Sequence, residues 1–131
     1  MNIKGDLGNI NLELIQGNST DEYQWLIVFI DAKLRGFTAS YNISIELESF
    51  TSFLETLKKW SIDNTQEIAF TTLEDSLTLN GKYDDLGKIQ WRGKLQYPIG
   101  DGNILDFKME TDVVHVESLI NELEFELSNL L

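Results

Sequence analysis

Midway along the chain the spacing of apolar residues changes from two to about 3.6 without a gap, and this switch constrains the fold more than any other feature. From Phe37 to Leu47 every second residue is apolar: Phe37, Ala39, Tyr41, Ile43, Ile45 and Leu47 alternate with Thr38, Ser40, Asn42, Ser44 and Glu46. Successive side chains of a strand point to opposite faces, so the segment predicts a strand with the first set inward and the second outward. Phe50, Phe53, Leu54, Leu57 and Trp60 then recur at i, i+3, i+4, i+7 and i+10. That spacing predicts an amphipathic helix over about 49–60. Ser49 is its expected N-cap, because a hydroxyl there can accept from unpaired backbone amides. Lys58 and Lys59 lie near its other end, where the helix dipole favours cations.

The remaining segments extend the same reading. Residues 9–16 form an expected first strand, closed by the turn Gly17-Asn18-Ser19-Thr20. In residues 22–32, Tyr23, Trp25, Ile27 and Phe29 point one way and Leu26, Val28 and Ile30 the other. Apolar side chains on both faces predict a central strand covered on both sides. With the turn at 33–36 and the alternating strand, it makes an antiparallel hairpin. Further strands are expected at 67–73, 76–80, 88–97 and 104–110, with turns at Glu74-Asp75, at 80–87, and at Pro98-Ile99-Gly100-Asp101-Gly102. The strand at 88–97 alternates strictly, with Ile89, Trp91, Gly93, Leu95 and Tyr97 inward. Its outward set is Lys88, Gln90, Arg92, Lys94 and Gln96, whose cations are expected to pair with carboxylates such as Glu46, Asp106 or Glu110. Val116, Leu119, Ile120, Leu123, Leu127 and Leu130 share one stripe of a closing helix over about 115–130. The prediction is an α+β fold in a single domain over 1–131, mainly antiparallel sheet of six to seven strands with two amphipathic helices. No internal repeat is visible in the sequence.

Several chemistries are excluded by residue type. Cysteine is absent, which removes disulfides, thiolate metal sites and cysteine nucleophiles. The single histidine, His115, precedes an apolar stripe and has no Gly-x-Ser-x-Gly partner motif, so packing or exposure is expected for it. Asp101-Gly102-Asn103 with Asp106 lacks the register of a calcium loop, and the glycines form no phosphate-binding pattern. Asn18-Ser19-Thr20 and Asn42-Ile43-Ser44 match a glycosylation pattern without a secretory signal before them. No catalytic residue, metal ligand or cofactor is therefore assigned, and the longest apolar run, 25–30, is too short to span a bilayer. These readings predict a soluble cytoplasmic protein that is not an enzyme.

Charge supplies the positive lead. Ten Lys and Arg stand against 22 Asp and Glu, for a net charge of −12. Such a surface repels nucleic acid and anionic membranes and speeds encounter with a basic protein. After Lys108 there is no Lys or Arg, and the acids Glu110, Asp112, Glu117, Glu122, Glu124 and Glu126 fall in this last stretch. Phe125 lies off the apolar stripe of the closing helix, among polar residues. An exposed aromatic ringed by carboxylates suits docking on a basic protein, so Glu117, Asn121, Glu122, Glu124, Phe125 and Glu126 are the candidate partner-binding residues.

The order of segments carries a resemblance. A long apolar strand, 25–30, runs into Arg35-Gly36-Phe37 and the alternating strand, and then into the helix at 47–57. Leu77-Thr78-Leu79, the 87–93 segment Gly-Lys-Ile-Gln-Trp-Arg-Gly, Leu105-Asp106-Phe107 and a closing helix with Leu119, Leu123 and Leu127 follow. From Trp25 to Leu127 this pattern resembles the small bacterial WapI-type immunity proteins and related small bacterial families. The resemblance implies an inhibitor of a secreted or contact-delivered toxin, often a nuclease, acting inside the producing cell. An acidic face would fill the toxin's basic cleft in place of a polyanionic substrate. It carries over no catalytic residue. The composition alone leaves open an alternative, a structural or assembly protein that self-associates through a sheet edge or the closing helix.

Overall fold

A computed structural model describes residues 1–17 and 24–130. The elements run β1 (Asn2–Gly5), β2 (Gly8–Gly17), β3 (Trp25–Leu34), β4 (Phe37–Glu46) and α1 (Leu47–Ile62), then β5 (Ile68–Thr71), β6 (Leu77–Tyr83), β7 (Lys88–Tyr97), β8 (Asn103–Asp112) and α2 (His115–Ser128). The fold is α+β, with two antiparallel four-stranded sheets ordered β1-β2-β3-β4 and β5-β6-β7-β8. Each half is thus a meander followed by a helix, a repetition of architecture that no repeat in the sequence announces.

The two sheets meet edge to edge. Asp6 N–H donates to the Glu110 carbonyl at 3.0 Å, and Glu110 N–H donates to Asp6 Oδ1 at 2.8 Å. The Thr111 hydroxyl donates to the Lys4 carbonyl at 2.6 Å and accepts from Trp91 Nε1–H at 2.9 Å. Gly5 allows this approach: a Cβ at that position would stand 2.8 Å from Met109 Sδ. The inner faces of both sheets and the apolar stripes of both helices form one continuous core. Phe50 and Phe53 on α1 meet Phe70 on β5 edge-on, at centroid distances of 5.3 and 5.1 Å. Burial of each ring contributes about 1.5–3 kcal/mol, and each such pair adds about 0.5–1.5 kcal/mol.

The hairpins at 33–36 and 98–102 form as expected, joining β3 to β4 and β7 to β8. The strand count is eight rather than six or seven, because β1 was not expected. It is four residues long and pairs with β2 from Asn2↔Asn11 to Gly5↔Gly8. The strand expected at 67–73 is shorter (Ile68–Thr71), and that expected at 76–80 continues to Tyr83. Helix α1 starts at Leu47, with Glu46 at the N-cap position. Ser49 is consequently inside the first turn, buried, and is not the cap. The strand β3 is fully covered on one face only: Leu26, Val28, Ile30 and Ala32 are buried, whereas on the other face Trp25 and Phe29 are half-buried and Ile27 is exposed. Phe37, expected inward, is also exposed, since the β3–β4 hairpin extends past the core. The turn Asn18-Ser19-Thr20 and Tyr23 lie outside the described residues.

Candidate functional site

Helix α2 buries Val116, Leu119 and Leu123 and turns its opposite face outward. Glu117, Asn121, Glu122, Glu124 and Phe125 are exposed on it, and Glu126 is half-buried. Phe125 is 67% exposed, and among the described residues no element covers it. The first turn carries Glu117, and the last turn has no basic residue to balance the dipole. Three of the acids are engaged within the chain. Asn2 N–H donates to Glu122 Oε2 at 3.2 Å, and Lys58 Nζ lies 3.6 Å from Glu124 Oε1. The Met1 ammonium donates to Glu126 Oε1 and, at 2.8 Å, to the Leu12 carbonyl. Among the described residues Glu117 has no ion pair. The six candidate residues therefore spread over the outward half of α2, with Glu126 on its half-buried flank, and three of their four carboxylates are already engaged within the chain.

The outer face of β6–β8 collects cations. Lys88 pairs with Asp112 at 3.1 Å, Lys94 with Asp106 at 4.0 Å, and Lys82 with Glu67 at 3.4 Å. Gln90 Nε2 donates to Asp84 Oδ2 at 2.8 Å and to Glu110 Oε2 at 3.0 Å. Glu46, expected as a partner for this stripe, lies elsewhere and is buried. The Asp112 carboxyl is held below its ordinary range by the Val114 N–H first and the Lys88 ammonium second. His115 opens α2, is exposed, and lines a recess of about 230 Å³ with Lys88 and Asp112. No serine joins it there. Among the described residues no group of three His, Asp or Glu side chains is placed to hold a metal ion, and no helix is long and apolar enough to cross a membrane.

A second acidic place lies where β4 passes into α1. Glu46 and Ser49 lie in a cleft of about 300 Å³ between the first turn of α1 and the β5–β6 connection. Glu46 Oε1 accepts from Leu73 N–H at 2.9 Å and from the Ser49 hydroxyl, whose Oγ is also 2.7 Å from the Thr71 carbonyl. Glu46 Oε2 is buried and has no hydrogen-bond partner among the described residues.

The family model of the WapI-like immunity proteins matches residues 2–130. The chain belongs to that family. No curated protein matches it. Across 94% of its length the chain is also similar to 92% of a chain in a solved structure described as a guideRNA-binding protein complex bound to a gRNA, at 10% identity and a TM-score of 0.49.

For this WapI-like chain, residue periodicity located the α2 face but missed the Glu46 cleft. Alternation places Glu46 on the outward side of β4 and gives no sign that the β5–β6 connection covers it. One signal was available: the last outward residue of a strand that leads straight into a helix lies under whatever packs on that helix.

Proposed function

We propose that the chain is a non-enzymatic immunity protein that binds a cognate toxin with a basic surface and occludes it. Family membership supports the immunity role. The exposed Phe125, standing among Glu117, Asn121, Glu122, Glu124 and Glu126, is the observation that carries the docking site. An aromatic anchor inside an acidic rim combines desolvated contact area with electrostatic complementarity. The net charge of −12 speeds approach to a cationic cleft and disfavours direct binding to nucleic acid or anionic membrane. A nuclease toxin fits this chemistry, because its active site is built to receive a polyanion. The site of action is then the cytoplasm of the producing cell.

The test is co-expression and mixing with the toxin domain encoded beside this chain's gene. A complex at micromolar concentration and rescue of growth are expected. Absence of both refutes the reading, and activity of the chain alone on RNA or DNA refutes its non-enzymatic part.

A further inference from the structure

Two four-stranded sheets have four edges, and the fold closes three of them. β1 and β8 meet along the seam. β5 is only four residues long and lies against α1, where Ser49 Oγ is 2.7 Å from the Thr71 carbonyl. The fourth edge is β4, ten residues paired with β3 over their whole length without a bulge. Leu47 N–H donates to the Gln24 carbonyl at 3.1 Å, which sets the phase of this ladder: odd-numbered residues of β4 bond back to β3. Thr38, Ser40, Asn42 and Ser44 therefore turn their backbone N–H and C=O groups to the open side. Among the described residues no backbone group answers them.

Edge strands are ordinarily protected by charge, proline, a bulge or brevity. This one has none of these. Residues 36–45 are the longest stretch of the chain without Asp, Glu, Lys or Arg, and they contain no proline. Phe37, Thr38, Ser40, Asn42 and Ser44 are all exposed. Tyr41, in the middle of the strand, stacks on Tyr97 of β7 with ring centroids 4.9 Å apart, which holds the edge in place from the inner side.

We propose that this edge pairs antiparallel with the same edge of a second copy, joining two β1–β4 sheets into one continuous sheet. An antiparallel strand edge is self-complementary, since each N–H meets a C=O of its twofold mate. Such a contact also brings each side chain near its own counterpart, so a charge there faces like charge. A chain of net charge −12 can approach itself closely only where its surface is neutral, and residues 36–45 provide that strip. A basic partner calls for carboxylates instead, and those are on α2. Pairing over Thr38–Ser44 places Tyr41 at the twofold axis. One strand edge is a small interface, so the dimer is weak, with a dissociation constant of about 10–100 µM. The contact is separate from the α2 site and does not depend on the toxin-binding reading.

Sedimentation equilibrium of the chain alone, up to about 500 µM, tests the proposal. The mass should rise with concentration towards that of two chains. Added salt, about 0.3 M, should tighten the dimer severalfold by screening repulsion between two acidic chains, the opposite of its effect on toxin association. Ser40→Pro removes an outward N–H and no bond to β3, and Ser40→Glu sets a carboxylate near its own counterpart. Each should weaken the dimer at least about tenfold, with urea midpoints confirming that it is folded. Ser61→Glu makes the same charge change at an exposed position of α1 and should have little effect. The amides of Thr38, Ser40, Asn42 and Ser44 should exchange with solvent severalfold more slowly at the highest concentration than in dilute solution. A single-chain mass throughout, a dimer formed equally well by both Ser40 variants, or unchanged exchange at these four amides overturns the proposal. A wild type that remains single while Ser40→Pro weakens toxin binding assigns the edge to an extended segment of the toxin and overturns self-pairing as well.

Discussion

Replacing Thr111 by valine tests whether the seam between the sheets depends on one hydroxyl. Thr111 is 5% exposed and Trp91 1% exposed. The hydroxyl accepts from Trp91 Nε1–H and donates to the Lys4 carbonyl, so it joins β8, β7 and β1. Valine keeps the shape and removes both bonds, so no cavity term enters. A buried donor or acceptor left unsatisfied costs about 1–3 kcal/mol. The indole N–H bears the full cost, whereas the Lys4 carbonyl is at the partly open seam and water recovers part of its loss. The expected total is about 3 kcal/mol. With an unfolding entropy of about 2.1 cal/mol/K per residue, that lowers the Tm of a chain this long by about 10 °C. Thr111→Ser keeps the hydroxyl and loses one methyl, a change worth about 0.5–1.5 kcal/mol. Urea unfolding should show a lower midpoint for Thr111→Val at unchanged m-value, with Thr111→Ser between it and the wild type. Equal stability of the valine and serine variants would refute the argument.

Gly93→Ala should destabilise by about 1–3 kcal/mol in the same assay, because the new Cβ would stand 2.4 Å from Phe107 Cζ and 2.8 Å from the Thr78 carbonyl; an unchanged midpoint would contradict that packing. Phe125→Ala should leave stability within about 0.5 kcal/mol yet weaken toxin binding at least tenfold, and calorimetric titration separates the two. Asp84 and Asp112 have carboxyls held below the usual Asp value of 3.8, the first mainly by the Gln90 amide and the second mainly by the Val114 N–H. Their folded-state pKa values are depressed, so their stabilisation is complete above the unfolded value and disappears as pH falls through the folded one. Urea midpoints followed downward from neutral pH should therefore drop less steeply below about pH 4 in Asp112→Asn than in the wild type; identical profiles would refute the assignment. The association rate with the toxin domain should decrease as salt rises from 0.05 to 0.5 M, to about a tenth or less, and a salt-independent rate would remove electrostatic steering.

The six α2 residues illustrate how far a local pattern reaches. Helical spacing was enough to separate Phe125 from the apolar stripe, and the ring is exposed. The same spacing could not show that Glu126 meets the Met1 ammonium or that Glu124 meets Lys58, because those partners lie far away in the chain. Ser49 makes the same point for α1. Its residue type suits an N-cap, but the helix begins at Leu47, which places its hydroxyl against Glu46 and the Thr71 carbonyl.

By itself the sequence determined the elements whose signal is local: alternation in β3, β4, β7 and β8, 3.6-residue spacing in α1 and α2, and the two turns carrying Gly36 and Pro98. Tertiary structure alone decided the rest. β1 has too few residues to show a period and exists because β2 and β8 supply partners for its backbone. The exposure of Ile27 on the outer face of β3 and the burial of Glu46 depend on which element lies over them. Periodicity records which side of a segment is apolar, whereas burial and charge pairing depend on what distant parts of the chain bring to that side.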